Sequence, residues 1–482
     1  MADRGEPVDE QQTEGHSVPR LTRAGSAVRG LAVDIGPLRQ SRDYRLLWLG
    51  ELVSTTGRQI SVVALPLQVY ILTHSPLAVG MIGLVQVVPL VLFSLVGGAI
   101  ADRTDRRVVL LGTEIGLAGT SALLLIGALA RHPPLAYVYG ITGLQAGILG
   151  MNTPTRSAAI PNLVTREQLP AAIALNQVMF NTTLIVGPAL GGLIIGHFGG
   201  QTPYAGLKWA YGADVATFLG SIVATALLHP LPPRQADAGE ATTAWRSIRE
   251  GFSYLKGRRV LISTFLIDLD AMIFGMPRAL FPVLALTVFH TGPRGLGLLY
   301  AAPAAGALVG ALTGGWVGGV RRQGRAVILA VVLWGAAIVG FGLSGRVFVL
   351  ALTFLAFAGM ADVISAVFRG TILQVSIPDK LRGRLSAVHI VVVTGGPRLG
   401  DVEAGVVATL VSPWFSVVSG GVACVVGALL LAILVPELAR YHPVRAGARI
   451  GGGDARGSRG PPTWSPREGE SRGRGKSSEP EA

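Results

Sequence analysis

The sequence predicts an all-α membrane protein, with twelve transmembrane helices in two six-helix pseudo-repeats. Three observations lead to this fold class. Charged residues make up only 14% of the 482 residues, against about 25% in ordinary soluble proteins. Half of the residues are apolar, the mean hydropathy is +0.52, and the apolar residues form long runs, as a chain solvated by lipid requires. Motifs of the first half recur in the second half. These features argue against a soluble enzyme.

The basic excess of the chain does not indicate a nucleic-acid partner. The formal net charge is +13, but 25 of the 41 basic residues lie in the apolar middle of the chain, between residues 46 and 436. The lipid bilayer, and no nucleic acid, is therefore the expected large-scale partner. Cys424 is the single cysteine and lies inside an apolar run, which predicts neither a disulfide framework nor a metal site.

The twelve helices follow from apolar runs of about 20 residues, the length that spans the hydrocarbon core. An even number of helices puts both termini on one side. Loops on that side carry sixteen basic residues, and the opposite loops carry four, so the positive-inside rule predicts cytoplasmic termini. The predicted segments lie at about 46–72, 77–101, 108–130, 135–157, 171–198, 207–229, 260–290, 295–319, 326–344, 347–373, 386–411 and 413–436.

The longest loop between helices divides the chain into six plus six helices. Within it, residues 245–259 predict an amphipathic helix, whose apolar side fits either the lipid interface or the helix bundle. Both tails are rich in Gly, Arg, Ser, Pro and Glu, which predicts disorder. The predicted regions are a disordered cytoplasmic N-terminal tail (1–44), an N-terminal six-helix bundle (45–229), a cytoplasmic linker with the amphipathic helix (230–259), a C-terminal six-helix bundle (260–436) and a disordered cytoplasmic C-terminal tail (437–482).

Two motifs recur in corresponding helices of the two halves. The fifth helix contains Gly-Pro-Ala-Leu-Gly-Gly at 187–192, and the eleventh contains Gly-Pro-Arg-Leu-Gly-Asp at 396–401. Arg156 and Arg369 are placed as basic residues at the ends of the fourth and tenth helices, each followed by a similar loop. Parallel six-helix repeats are an organisation of secondary transporters, in which the substrate site lies near the midplane between the halves.

The loop after the second helix, Gly-Gly-Ala-Ile-Ala-Asp-Arg-Thr-Asp-Arg-Arg at 97–107, resembles motif A of the major facilitator superfamily, with Asp105 where glycine is usual. A carboxylate at a helix end, paired with basic residues and a helix dipole, can hold one conformation and release it in another. The resemblance thus implies a cytoplasmic gate; the alternative is a solvated loop that obeys the positive-inside rule. The gate candidates are Asp102, Arg103, Arg106 and Arg107.

The segment 187–192 resembles motif C of the same superfamily, which marks its antiporter branch. Small residues allow close helix contact and Pro188 bends the helix, which suits a hinge; the alternative is ordinary small-residue packing. The hinge residues are Gly187, Pro188, Gly191 and Gly192. The fourth helix departs from motif B, because Thr142 stands where the family's arginine is expected.

Further segments at 41–50, 153–161 and 396–401 are similar to the enterobactin-exporter-like branch, the transmembrane secretion effectors. The resemblance covers about residues 40–436. Members of this branch are linked to the export of siderophores, macrolides and other hydrophobic compounds. The resemblance implies a multi-pass protein of the bacterial cytoplasmic (inner) membrane.

Ionisable residues at membrane depth face the bundle interior and usually have a partner or a task. Glu51 and Arg58 are seven residues apart, on one helix face and about 10 Å from each other. Arg398 and Asp401 are an i, i+3 pair, which fits either a coupling site or a structural ion pair. Asp214 fits an interfacial group near the outer end of its helix. The candidates for proton coupling are Glu51, Arg58, Asp268, Arg398, Asp401 and Glu403.

The predicted function is secondary active efflux of a small amphipathic compound, by proton antiport and alternating access. The alternatives are import by proton symport, and a non-transporting membrane sensor or assembly partner with the same fold. The chain is not predicted to be an enzyme, because it has neither a phosphate-binding loop for ATP nor a nucleophile or metal motif at helical spacing. The expected partners are a small-molecule substrate, protons and the bilayer; the proton gradient replaces a cofactor, and the expected state is a monomer.

Overall fold

A computed structural model describes residues 34–101, 103–200, 203–232, 249–250, 253–377 and 379–441. Within these ranges the chain forms helices and turns without strands, and twelve long helices match the twelve predicted segments in order. The N-half contains α1 (Arg42–Thr73), α2 (Pro76–Ala101), α3 (Arg106–Leu129), α4 (Leu135–Leu163), α5 (Leu169–Phe198) and α6 (Pro203–Ala226). The C-half contains α7 (Arg259–Phe274), α8 (Gly292–Thr313), α9 (Gln323–Leu343), α10 (Phe348–Ser376), α11 (Asp379–Leu410) and α12 (Pro413–Leu434).

Eight of the long helices in the described ranges are long and apolar enough to cross a membrane: α2, α3, α5, α7 with its continuation, α8, α9, α10 and α12. The other four, α1, α4, α6 and α11, have 24 to 32 residues. At 1.5 Å per residue even 24 residues exceed the hydrocarbon core of about 30 Å. Their hydropathy is lower because they carry much of the charge and amide content of the interior.

The seventh segment is broken, although the sequence predicts one helix over 260–290. The α-helix α7 ends at Phe274, and the chain continues through a 3-10 turn (Arg278–Leu280), one α-turn (Phe281–Val283) and a π-turn (Leu284–Val288). Pro277 lacks the backbone N–H that would continue the helix. The indole Nε1 of Trp334 donates to the Gly275 carbonyl oxygen at 2.8 Å, which satisfies an acceptor that the break leaves free.

Helical structure begins before residue 44, the predicted last residue of the N-terminal tail. A short helix (Gly36–Gln40) precedes α1, and the hydroxyl of Tyr44 donates to the Ala172 carbonyl oxygen of α5 at 2.9 Å. Tyr44 is 1% exposed, so burial of this aromatic ring fixes the start of α1. At the other end, the short helix Pro436–Ala439 follows α12.

The linker contains a second docking point. Residues 233–248 and 251–252 lie outside the described residues, and with them most of the predicted amphipathic helix. Of its described residues, Leu255 is buried in a cluster with Leu261, Phe265 and Leu385. This contact agrees with the alternative in which the linker packs against the helix bundle.

The two halves pack together through two glycine-rich seams. In the first, α5 crosses α8, and a Cβ at Gly192 would lie 2.9 Å from the Gly297 Cα. In the second, α2 crosses α11, and a Cβ at Gly83 would lie 3.1 Å from the Arg398 Cα. Both seams lie toward the end of the bundle at which α1 ends and α2 begins, hereafter the distal end. Side chains larger than hydrogen would push these helices apart.

The opposite, proximal end is where α1 begins and α2 ends. Described buried residues there form clusters within one half, such as Leu47, Leu110 and Ala159 in the N-half. A different cluster, Leu261, Phe265 and their neighbours, belongs to the C-half. The observed conformation is therefore closed at the distal end.

The α5–α8 seam predicts a conformational effect of Gly192→Val. The added side chain would meet backbone atoms of α8, which cannot rotate away, so we expect the halves to separate at the distal end. Double electron–electron resonance between labels on His132→Cys and Arg346→Cys, in loops of the two halves, should report a longer distance. The matched control is Gly119→Val, because the Gly119 Cβ position has no atom within 4 Å. An unchanged distance in the Gly192 variant would contradict the closing role of the seam.

Candidate functional site

A buried arginine of the N-half joins three helices. Arg156 of α4 is 7% exposed and forms ion pairs with Glu51 of α1, at 3.5 Å, and with Glu114 of α3. One turn earlier, the Asn152 amide donates to the Thr113 hydroxyl at 2.8 Å and to Glu114 at 3.3 Å, while its oxygen accepts from Arg156 Nε at 3.4 Å. This cluster therefore holds α1, α3 and α4 together through charge.

The C-half has a related cluster, in which the arginine has one carboxylate on another helix and one on its own helix. Arg369 of α10, 213 residues after Arg156, is 4% exposed. Its Nη1 lies 2.6 Å from Asp268 Oδ1 of α7, and its Nη2 lies 3.8 Å from Asp362 Oδ1. With the same offset Asp268 corresponds to Thr55, one turn from Glu51. Both halves thus pair a buried arginine with two carboxylates.

In each cluster one carboxylate is held tightly and the other loosely. The side chains of Glu114 and Asp268 are 1% and 2% exposed. Glu51 and Asp362 are 22% and 31% exposed and lie 3.5 and 3.8 Å from their arginines. The loose carboxylates are the ones that solvent in the interior can reach.

The predicted position of the two arginines at helix ends is wrong. The helix α4 continues to Leu163 and α10 to Ser376, so Arg156 and Arg369 each lie seven residues before the last helical residue. The sequence-based boundaries stop near Pro154 and Pro161, but α4 accommodates both prolines. The arginines therefore lie inside the bundle.

Glu51 and Arg58, predicted on one helix face about 10 Å apart, have different partners in the structure. Glu51 pairs with Arg156, while Arg58 Nη2 points to the Thr55 hydroxyl at 3.4 Å. Both residues line a cavity of about 480 Å³ in the N-half, which indicates that they lie on one face of α1. Seven residues separate the two groups by about 10 Å, too far for a direct ion pair when a neighbouring helix offers a closer partner.

A second cavity, of about 310 Å³, lies between the halves and is called the central cavity. The N-half lines it with Arg58, Gln86 and Gln145 among others, and the C-half with Arg278, Tyr300, Arg398 and Asp401. A third cavity of about 330 Å³ adjoins it, since Arg278 and Tyr300 line both. Arg58 also lines the N-half cavity. The three cavities follow one another through the interior.

Arg398 and Asp401 do not form the structural ion pair weighed from the sequence. Among the described side chains, no contact of 4.0 Å or less joins their charged atoms. Arg398 Nη1 donates to the Thr394 carbonyl oxygen at 2.6 Å, whereas Arg398 Nε and Asp401 Oδ1 are buried without a hydrogen-bond partner. Both residues face the central cavity. Glu403 of the same helix is half-buried and lines none of the three cavities.

Asp214 is not an interfacial group. It lies eleven residues into α6, about 16 Å along the axis, is fully buried, and accepts hydrogen bonds from Ser61 at 2.7 Å and Ser121 at 2.8 Å. Gly57 of α1 provides its space, because a Cβ there would lie 2.9 Å from Asp214 Oδ1.

The first and last helices of the C-half, α7 and α12, form the equivalent pair, but here the carboxylate lies on the first helix instead of the last. A Cβ at Gly427 of α12 would collide with the carboxylate of Asp270 on α7. Gly57 and Asp270 are 213 residues apart, as are Asp214 and Gly427. The carboxylate and the glycine have therefore changed places between the halves.

Three of the gate candidates lie in the described residues, and Asp102 lies outside them. Arg103 is exposed. Arg106 Nη1 donates to the Ala158 carbonyl oxygen of α4 at 3.0 Å, and Arg107 Nη2 donates to the Ala226 carbonyl oxygen at the end of α6 at 2.6 Å. In this conformation the two arginines bind the N-half itself. The gate hypothesis stays a prediction.

The hinge candidates lie on helix contacts. Gly187 packs against Gln59 of α1, and a Cβ at Gly191 would lie 3.0 Å from the Ile60 carbonyl oxygen of the same helix. Gly192 touches α8, and Pro188 lines the third cavity. The segment thus joins α1 on one face to α8 on the other.

Sequence reasoning missed Glu114, the tight partner of Arg156. The signal was available, because Glu114 is a lone carboxylate in an apolar segment of membrane length, the criterion that selected Glu51 and Asp268. It also missed the role of Arg278, which follows the break after α7 and could not be assigned to a face by helical spacing.

The fold and the site together define a class of protein: a multi-pass membrane transporter with two similar helical halves around a charged interior. The chain belongs to the transmembrane secretion effector family, whose model matches residues 32–443. This family assignment confirms the predicted resemblance, the major facilitator fold and the expectation of a transporter instead of an enzyme.

Individual relatives cover nearly the whole chain. The chain is 30% identical to the enterobactin exporter EntS of Citrobacter koseri, over 87% of this chain and 98% of that protein. It is 28% identical to EntS of Salmonella typhimurium, over 85% of this chain and 96% of that protein.

Solved structures agree in fold. The nucleoside transporter NupG superimposes with a TM-score of 0.65 at 13% identity, covering 83% of this chain and 100% of that one. A bacterial homologue of the human lysosomal transporter Spinster, in an inward-facing and occupied conformation, gives a TM-score of 0.64 at 14% identity, covering 84% and 99%. At these identities the likeness concerns the fold alone.

Proposed function

We propose that this chain is a proton-coupled efflux transporter that exports a small amphipathic compound by alternating access. The relatives named as enterobactin exporters favour a siderophore or a compound of similar character. The proposed setting is the bacterial inner membrane, with a monomeric protein, cytoplasmic termini and the proton gradient as the energy source. With that orientation the distal end faces outward, and the observed conformation corresponds to the inward-facing state.

The observation that carries the proposal is the loosely held carboxylate Glu51 beside Arg156. An exchanger needs a group that is neutral in one state and charged in the other. When Glu51 takes up a proton, it becomes a neutral acid and loses its charge attraction to Arg156. Arg156 then stays paired with the charged carboxylate of Glu114 alone. When the proton leaves toward the proximal end, the ion pair with Arg156 forms again. The ionised pair in a distally closed conformation fits the state after proton release.

Solute and proton would then compete through connected cavities. Glu51 lines the N-half cavity, and Arg58 lies between that cavity and the central one. A solute in the central cavity contacts both halves, so its presence can influence the rocking of one half against the other. Asp362, the loose carboxylate of the C-half, lines the third cavity and is the second proposed proton site.

Proton flux in everted membrane vesicles tests this function. The vesicle interior is made acidic, and enterobactin, a macrolide or a lipophilic cation is then added outside. We expect at least one compound to make the interior less acidic, because its entry is exchanged for protons. Vesicles without the protein are the background control. A folded protein that stays silent with the whole panel contradicts the proposal.

A truncated chain that ends at Pro443 separates transport from sensing. An exchanger should retain its flux without residues 444–482, since every cavity described above lies before them. A membrane sensor that acts through its tail should lose its response on truncation and show no flux in either form.

A further inference from the structure

The central cavity carries an excess of positive charge. Its lining includes three arginines, Arg58, Arg278 and Arg398, and one carboxylate, Asp401. The formal charge of this set is therefore +2. Arg58 comes from the N-half, whereas Arg278 and Arg398 come from the C-half, so the positive charge faces the cavity from both sides.

The three arginines differ from the structural arginines of the same protein. Arg156 and Arg369 each have two carboxylates within 4.0 Å. Among the described side chains, no carboxylate lies within 4.0 Å of the charged nitrogens of Arg58, Arg278 or Arg398. Arg398 Nε is buried without a hydrogen-bond partner. The arginines that hold the helices are thus in direct ion pairs, whereas those of the central cavity have no described carboxylate within ion-pair distance and share the cavity with Asp401 alone.

A cation at membrane depth is costly without a partner, and a guanidinium binds carboxylate and similar oxyanions through paired hydrogen bonds. We infer that the central cavity binds an organic anion, whose negative group lies among Arg58, Arg278 and Arg398. This inference names the substrate class of the proposed transporter and so rests on that function.

The neighbouring third cavity defines the rest of the ligand. It shares Arg278 and Tyr300 with the central cavity and is lined further on mostly by apolar side chains, among them Met276, Phe281 and Trp334. Asp362 is the one carboxylate among the described residues of its lining. An anion with an apolar or aromatic body can place its charge on the arginines and its body in this second space. An inorganic anion would use the charge alone.

Binding of a matched pair of probes tests the inference. Radiolabelled 1-naphthoate and 1-naphthamide have the same rings and differ in charge. Equilibrium dialysis would measure their dissociation constants with the full chain in phosphatidylcholine nanodiscs, whose neutral lipid keeps background anion binding low. We expect naphthoate to bind at least about tenfold more tightly than naphthamide, because hydrogen bonds to a charged group provide this much affinity. An excess of inorganic phosphate should displace naphthoate poorly.

The variants Arg398→Gln and Arg278→Gln should each weaken naphthoate binding about tenfold and leave naphthamide binding unchanged. The second variant keeps the test usable if the first does not fold. Arg346→Gln is the matched control, because Arg346 is exposed in the α9–α10 loop and lines none of the three cavities.

Three results would overturn the inference: equal affinities for the two probes, displacement by phosphate as effective as displacement by unlabelled naphthoate, or the same affinity in the Arg398, Arg278 and Arg346 variants. The assay measures binding without a proton gradient. Failure of proton exchange with intact, arginine-dependent naphthoate binding would therefore reject the proposed antiport and retain the anion site.

Discussion

Replacement of Arg156 by methionine is expected to destabilise the protein by about 3–5 kcal/mol, the cost of leaving a buried charge without its partner. Glu114 is 1% exposed, so its carboxylate would stay buried after the guanidinium is removed. Methionine fills a similar volume, so the effect reports charge more than packing. The measurement is the thermal unfolding midpoint of the purified protein in one detergent, with wild type and variant side by side.

A second substitution distinguishes lost charge balance from general damage. In Arg156→Met combined with Glu114→Gln, the orphaned carboxylate is also removed, and we expect part of the lost stability to return. Arg346→Met is the control on an exposed arginine. If the unfolding midpoint of the double variant is no higher than that of the single variant, the ion pair between α3 and α4 does not account for the stability that Arg156 gives to the protein.

Replacement of Glu51 by glutamine is expected to reduce substrate-driven proton release at least tenfold. Loss of a positioned proton-transfer group typically lowers a rate by about 10² or more, so tenfold is the smallest reduction that we expect. Glutamine preserves the size of the side chain and can still accept a hydrogen bond from Arg156, but it cannot ionise. The fold should therefore persist while proton exchange falls. The readout is the recovery of internal pH in everted vesicles with the compound identified for the wild type.

The matched control for this variant is Asp43→Asn on the same helix. Asp43 lies at the start of α1, 2.8 Å from His229 Nδ1, and lines none of the cavities. Its variant should exchange protons as the wild type does. Normal proton release by Glu51→Gln at wild-type protein levels would remove Glu51 from the coupling mechanism.

The membrane explains why so much of the fold was predictable. A helix that crosses lipid must be long and mostly apolar, so apolar runs predict the positions of the twelve long helices in the described residues. The recurrence of the Gly-Pro-x-Leu-Gly motif, and of Arg156 as Arg369, indicates the repeat from the sequence alone. Helix ends are harder to predict where proline intervenes. The helix α4 passes through Pro154 and Pro161, while the chain after α7 breaks at Pro277, and the sequence around these prolines does not distinguish the two results.

Partners within the site depend on contacts between helices, which spacing along one helix cannot provide. Glu51 and Arg58 were correctly placed on one face, yet Glu51 reaches Arg156 on α4 because the helices cross there. Asp401 has Arg398 one turn away and still forms no ion pair with it. Helical periodicity gave the depth and face of these residues, and tertiary packing decided which charges meet.

The exchange of glycine and carboxylate between the halves bears on how the gene arose. If one six-helix unit was duplicated and fused, each copy inherited the same crossing between its first and last helices, with room for a single carboxylate. Asp214 occupies that room from α6 in one copy, and Asp270 occupies it from α7 in the other. The two copies would then have diverged so that the carboxylate lies on opposite helices of the same crossing. As a result their helices are not interchangeable, because a chimaera with α7 in the place of α1 would set Asp270 against Asp214.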